Sequence, residues 1–477
     1  MITELYYAAL ALSCFVALSN WRQAIYFAIL LDFVRDPVRK LDPNESVLIT
    51  VSVLILWGVI AVSAYRQSPA QMAIARQRHP KIFEAVRLMV YAVIPGSLLA
   101  LVLYSGGYKM VALGSVSYLA PAAGIMLGYL LGSEEQTVTR ILRFYCIVNG
   151  IALTSVLAEY AELGWPLLGG LRGMVWIRYS GQETVDLIGG FYRSPDIMGL
   201  HAAQVVMFSL TLSFQRGRSW SPIWIALALF GGLCLLLSGR RKMLGMPLVF
   251  LAALALFCNR RGIRQFQQKL IPLVALAGIV VGIFLVSTDD YVATEYMNYA
   301  STLFTDGVNR YDEVVRGSVI VTLVQSGVLG EGIGSATQGA YHIVGRQKSG
   351  WQEDGVSRVF RELGVIGVVL VVLAGLRLIG GMMSAVRRTP IDGAPATLQL
   401  CLIAIVIANL ASFTVSHQQY SGDPPSALLV LIMLGMALAL CPLAPGGSNL
   451  PMTGDFANSR RRPADDESLL LPNRDEA

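Results

Sequence analysis

Charge is scarce in this chain: 14% of its 477 residues are Asp, Glu, Lys or Arg, against 55% hydrophobic. One protein core cannot shelter that much apolar surface, so a bilayer must form part of the solvent. The same composition excludes disorder over most of the length. Histidine is scarcer still, with four residues. The six cysteines, Cys14, Cys146, Cys234, Cys258, Cys401 and Cys441, form no CxxC and no Cys/His cluster. Each lies within or at the edge of an apolar segment and reads as a small core hydrophobe, not as part of a disulfide framework. No zinc or haem centre, and no other cofactor, is expected. The start also lacks a basic stretch: Glu4 stands there, no small-residue cleavage site follows, and no cleavable leader is expected. The net charge of +6 does not point to nucleic acid, because the basic residues lie between apolar segments without interleaved aromatics.

What is abundant is apolar segments. They occur near residues 47–66, 84–104, 110–131, 138–158, 197–214, 221–237, 243–258, 269–287, 362–386, 395–415 and 425–442. A crossing helix needs roughly 20 apolar residues, so the shorter ones must extend into the interfaces. Residues 5–35 form either one long tilted helix or two broken at Asn20-Trp21-Arg22. The expected fold is therefore all-α, a polytopic membrane protein of about twelve transmembrane helices, thirteen if the first segment is split. Residues 443–477, rich in Pro, Ser, Asp and Arg, are expected to be a disordered tail behind a membrane domain of residues 1–442.

Lys and Arg fix an orientation. Alternate loops carry Arg66, Arg76, Arg78 and Lys81; Arg140 and Arg143; Arg216 and Arg218; Arg260, Arg261, Arg264 and Lys269; Arg387 and Arg388; and finally Arg460, Arg461 and Arg462. The positive-inside rule puts these in the cytoplasm. The opposite side then receives residues 159–196, the turn at 238–242 and the long segment 288–361. The last exceeds a plain connection and is expected to be a helical, folded periplasmic cap.

One turn breaks the charge rule. Ser238-Gly239-Arg240-Arg241-Lys242 sets adjacent cations on the side where cations are disfavoured. It is either a local exception or an anion site, where guanidinium groups grip phosphate oxygens in a fork. Consecutive helical positions fan through roughly 200°, which favours Arg240 and Arg241 over all three with Lys242.

Three constellations bear chemistry on that same side. Gly190-Phe191-Tyr192-Arg193-Ser194-Pro195-Asp196 ends in a helix start, with a capping hydroxyl, a first-turn proline and an acid at the positive dipole end. Capping leaves Arg193 unexplained, and an Arg beside free helix N–H groups makes an anion pocket. His201 lies deeper, as a satisfied structural histidine or as a proton carrier. Asn309-Arg310-Tyr311-Asp312-Glu313-Val314-Val315-Arg316 reads as a solvated helix, or as a catalytic Arg310 with substrate contacts through Tyr311 and Arg316. Gly330-Glu331-Gly332-Ile333-Gly334 lacks a surrounding strand–helix unit and reads as a tight turn. Asp354, Arg358 and Glu362 recur every four residues on one helix face. They are either an internally neutralised stripe or the frame that holds Glu353 or Asp354 as a general base near a cationic pocket. Such a base would activate a sugar hydroxyl, with Arg358 as a substrate contact.

Over roughly residues 20–440 the pattern resembles the O-antigen ligase and polysaccharide polymerase superfamily of bacterial inner membranes. The resemblance is carried by Leu31-Asp32-Phe33-Val34-Arg35 with Arg39-Lys40, by Gly190 to Asp196 with His201, and by Ser238-Gly239-Arg240. Arg310 followed by the glycine turn, and Glu362-Leu363-Gly364-Val365-Ile366-Gly367, complete it. Where the ligase branch has a His-Asn pair, this chain has Glu353-Asp354, a departure toward polymerases. The resemblance implies metal-independent, inverting transfer from a polyprenyl-pyrophosphate-linked oligosaccharide to a second lipid-linked repeat, with membrane lipid and a chain-length regulator as further partners. A ligase acting on lipid A core is the alternative. A transporter or flippase is the third reading, but the repeated halves common in such proteins are not evident.

Overall fold

The structure is a computed structural model that describes residues 1–171, 174–180, 183–215, 222–260, 316–345, 352–389 and 394–441. The apolar segment at 269–287, Arg310, Tyr311 and the tail lie outside the described residues. The first apolar segment is two helices, α1 (Ile2–Ser19) and α2 (Trp21–Leu41). Asn20 breaks them, and its side-chain oxygen accepts the Gln23 N–H at 3.2 Å to cap α2. There follow α3 (Val47–Gln67), α4 (Pro69–Arg78), α5 (Pro80–Leu103), α6 (Gly107–Leu131) and α7 (Glu135–Tyr160). An antiparallel hairpin, β1 (Ile177–Ser180) with β2 (Glu183–Asp186), precedes α8 (Pro195–Phe214), α9 (Pro222–Leu237) and α10 (Arg241–Arg260). The remainder is α11 (Ser318–Ser326), α12 (Tyr341–Val344), α13 (Gly355–Arg388), α14 (Ala394–Val415), α15 (Gln418–Ser421) and α16 (Pro424–Ala439).

Among the described residues, nine helices are long and apolar enough to cross a membrane: α1, α3, α5, α6, α7, α8, α10, α13 and α14. Helices α9 and α16 are apolar but shorter, at 16 residues each. This is the architecture of a polytopic membrane protein.

The helices alternate in direction, which separates two ends. At one end Arg388 Nη1 donates to the Arg78 carbonyl at 3.1 Å, Gln215 reaches Thr139 at 2.9 Å, and Gln399 reaches the Ala437 carbonyl at 2.9 Å. The basic connections around Arg66–Lys81, Arg140–Arg143 and Arg387–Arg388 gather there. The starts of α3, α8, α10, α13 and α16 gather at the other end, with Arg193, Arg240, Lys242, Glu353 and Asp354.

Two kinds of packing hold the bundle. Helix α8 is buried along its whole length and forms the centre. Helices α6 and α16 approach so closely that a Cβ on Gly128 would overlap the Ile432 carbonyl oxygen, and one on Gly132 would lie 2.7 Å from Met436 Cα. Without a hydrophobic drive between helices in lipid, such small-residue contact is what lets two backbones meet. Gly128→Ala is therefore expected to lower the unfolding midpoint in detergent clearly, since backbone blocks the new methyl group. Gly58→Ala on α3, which meets nothing within 4 Å, should leave it unchanged. Equal midpoints for the two variants would refute the close-packing account.

Residues 316–345, part of the segment expected to be a folded cap, pack against the bundle. Helix α11 runs along α13: Gln352 Nε2 donates to Thr322 Oγ1 at 3.3 Å near the start of α13, and the Val365 N–H donates to the Val328 carbonyl at 2.9 Å. Val365 lies ten residues into α13, or ~15 Å along it at 1.5 Å per residue. The chain then returns through the glycine turn, where Gly330, Gly332 and Gly334 have φ of +79, +93 and +89. The Ile333 N–H donates to the Gly96 carbonyl at 2.9 Å, and a Cβ on Gly334 would lie 2.5 Å from the Met110 oxygen. Irregular backbone packed among helices persists because protein surrounds it and satisfies its polar groups. Gly364, at φ +64, kinks α13 where the two segments touch.

Candidate functional site

The last three turns of α2 carry Asp32, Arg35, Asp36, Arg39 and Lys40 at helical spacing, so all face one side. Arg35 is fully buried. It meets Asp32 Oδ1 at 3.0 Å, the Thr50 carbonyl at 3.2 Å, and Asp423. Arg193 Nη1 meets Asp36 at 2.9 Å, and Nη2 meets Asp423 at 3.3 Å and donates to the Gly422 carbonyl at 3.0 Å. Its backbone N–H also donates to Asp36, at 3.1 Å. Lys40 donates to the Leu167 and Gly190 carbonyls at 3.0 and 2.7 Å. Burial by itself would raise the Asp423 carboxyl, but Arg35 and Arg193 outweigh it and hold it well below the usual carboxylate range. The anion pocket expected at Arg193 is thus a lattice of two arginines with Asp36 and Asp423. The physical reason is burial, since charges removed from water must be paired and hydrogen-bonded.

The cation turn is built differently. Ser238 is buried, Gly239 takes φ +58, and Arg240 precedes the first residue of α10. Arg240 Nη2 lies 2.9 Å from Asp196 Oδ2, and Lys242 Nζ lies 3.1 Å from Asp196 Oδ1. Lys242 also donates to Ser416 Oγ at 2.7 Å. The Arg240 guanidinium stands 5.8 Å from the Trp176 ring centre, and its buried Nε has no hydrogen-bond partner among the described residues. Arg241 is half-buried and engaged elsewhere. The pair sharing one carboxylate is therefore Arg240 with Lys242, not Arg240 with Arg241, because Arg240 precedes the helix and escapes its angular fan.

At the start of α13 the acids part ways. Asp354 is fully buried and caps the helix, its Oδ1 accepting the Ser357 N–H at 2.7 Å. Burial raises its carboxyl, and the hydrogen bonds from Ser357 oppose that rise. Glu353 is exposed. Arg358, almost wholly buried, meets Glu362 at 3.3 Å, Ser117 at 2.8 Å and Thr337 at 2.9 Å, and stands 4.7 Å from the Tyr118 ring centre. Glu362 also accepts the Ala336 N–H at 3.0 Å and the Thr337 hydroxyl at 2.8 Å. The stripe pairs Arg358 with Glu362 and secures the glycine turn through Ala336 and Thr337. Arg316, just before α11, is exposed.

His201 is held by Tyr145, whose hydroxyl is 2.7 Å from Nδ1, and stacks on Tyr192 at 5.0 Å. Its Nδ1 is thus engaged within the bundle. His417 was not among the residues singled out from sequence. Its Nε2 lies 2.8 Å from the Gln352 carbonyl, which can only accept, so Nε2 carries the proton and Nδ1 accepts from the Ser421 hydroxyl at 2.9 Å. Burial, then the Arg358 charge, pushes this imidazole down to about 3. It is neutral with both nitrogens engaged, and its backbone N–H donates to the Glu353 carbonyl at 3.1 Å. The signal in sequence was the polar run Ser416-His417-Gln418-Gln419 closing an apolar span.

The parts therefore connect. Asp196 holds Lys242, Lys242 holds Ser416, and the next residue, His417, pins the backbone of Glu353. Two cations sharing one acid and the exposed Glu353 are thus linked at one end of the bundle. Among the described residues no three His, Cys, Asp or Glu side chains are grouped to hold a metal ion. Comparison with protein-family models, curated proteins and solved structures returns no match.

Proposed function

We propose that the chain is a glycosyltransferase of the polysaccharide polymerase type, in a bacterial inner membrane with its site at the periplasmic face. The observation that carries this is the junction of Arg240 and Lys242 with the Glu353 segment, at the bundle end opposite the basic connections. The positive-inside rule makes that end the outer one. With α2, α9, α16 and the apolar segment at 269–287 counted as spans, the crossings number thirteen.

In this reading the donor is a polyprenyl-pyrophosphate-linked glycan, its lipid lying between helices. Glu353 takes the proton from a hydroxyl of the acceptor repeat, and that oxygen attacks the anomeric carbon from the face opposite the phosphate. The bond between that carbon and the phosphate oxygen breaks, and the pyrophosphate leaves with the electron pair. Arg240 and Lys242 stabilise the leaving charge more than the ground state. Arg310 and Tyr311 belong to the same reading through sequence alone, and a chain-length regulator is the expected protein partner.

The test is turnover by the purified protein in nanodiscs, supplied with the host's lipid-pyrophosphate-linked repeat. A ladder of longer glycans is the expected product. A single transfer to added lipid A core would make the chain a ligase, and an unconsumed donor would refute both.

A further inference from the structure

Asp196 occupies the second position of α8, where an acid at a helix N-terminus ordinarily serves the dipole. Its oxygens instead turn outward, across to a different helix. Oδ2 reaches Arg240 at 2.9 Å and Oδ1 reaches Lys242 at 3.1 Å. The cap of α8 is already supplied by Ser194, whose hydroxyl accepts the Ile197 N–H at 3.4 Å. Capping thus leaves this carboxylate unexplained.

The surroundings confine both cations. Lys242 is held from the other side by Ser416, which in turn donates to Gln419 Oε1 at 2.8 Å. Arg240 lies against Trp176, and its backbone N–H donates to Ser238 Oγ at 3.2 Å. One carboxylate bridges two cations and leaves the trio an excess of positive charge. It also leaves Arg240 Nε and part of the ammonium group without a partner in this cluster. That is the electrostatic form of an anion site built in advance, since donors fixed before the ligand arrives need no reorganisation.

We propose that Asp196 is a positioning residue that sets the spacing of Arg240 and Lys242 for a diphosphate, acting through these cations without touching the ligand. The inference rests on the reading of this turn as an anion site. It makes a prediction of unusual sign. A carboxylate that merely screens the cations would, once neutralised, leave them more attractive to an anion. A carboxylate that positions them would, once neutralised, weaken binding despite the added positive charge.

The experiment is calorimetric titration of inorganic pyrophosphate into the full-length protein in nanodiscs, for wild type, Asp196→Asn and Asp196→Glu, with thermal unfolding alongside. Asp196→Asn is expected to weaken binding by about tenfold, the worth of one charge-assisted hydrogen bond. Asp196→Glu, which keeps the charge on a longer arm, should recover part of that loss. Binding by Asp196→Asn as tight as wild type, or tighter, overturns the positioning role while leaving the anion site standing. No binding by folded wild type overturns the anion reading itself and this inference with it. If Asp196→Asn does not fold, Asp196→Glu decides: binding about threefold or more weaker supports the role, since one methylene of displacement matters only to a set geometry. Unchanged binding by Asp196→Glu then overturns it.

Discussion

Replacing Asp423 with asparagine will destabilise the folded protein by about 3–5 kcal/mol, the usual consequence of removing one partner from a buried ion pair. Asp423 is fully buried between two guanidinium groups, Arg35 and Arg193, and accepts the Ser426 hydroxyl at the start of α16. Asparagine keeps the shape and loses the charge, so both arginines fall back on Asp36, with Asp32 left to Arg35. Three elements lose a common anchor at once: α2, the turn before α8 and the turn before α16. The measurement is thermal or denaturant unfolding in detergent, with wild type beside the variant. An unchanged midpoint would show that Asp36 and Asp32 alone satisfy the arginines.

The same group gives a pH dependence with a defined sign. The Asp423 carboxyl is lower in the folded protein than its unfolded value near 4. Its contribution is present above that unfolded value and is lost as pH falls through the lower folded one. Asp423→Asn should therefore flatten the acid side of the stability profile. Acid sensitivity equal to wild type would assign that loss to other carboxyls.

Arg240→Ala is expected to reduce turnover of the lipid-pyrophosphate-linked donor by about 100-fold, the effect of deleting one preorganised donor to a charge that develops in the transition state. The loss should appear in kcat more than in KM, because leaving-group charge grows only as the glycosidic bond breaks. Arg240→Lys should not restore the rate, since an ammonium group lacks the planar fork and lies less well against Trp176. Lys242→Ala should cost less, since a single ammonium charge lacks the fork and Arg240 partly covers its place. A variant retaining more than about half the wild-type rate would remove Arg240 from the transition-state contacts, whatever its effect on binding.

Sequence alone determined the features governed by periodicity and solvent. Apolar runs of spanning length, the alternation of basic connections, the break at Asn20 as one of two readings, and the glycine turn all follow from local chemistry. How residues 316–345 pack against the helices was not legible. Glycines at positive φ let that segment enter between α5, α6 and α13, and no hydropathy pattern reports such a docking. Candidate site residues fared by the same rule. The cation turn was visible because adjacent Arg and Lys interrupt the alternation of basic connections.

Which acid each cation meets was decided by tertiary structure alone. Arg193 meets Asp36 and Asp423, 157 and 230 residues away along the chain. Arg358 is neutralised by Glu362 one helical turn on, whereas Arg240 and Lys242 share a single acid from α8. Sequence counts the charges and places them at one end of the bundle. Only packing sets which are paired, because a buried charge takes the partner that folding brings within reach, however remote in the chain.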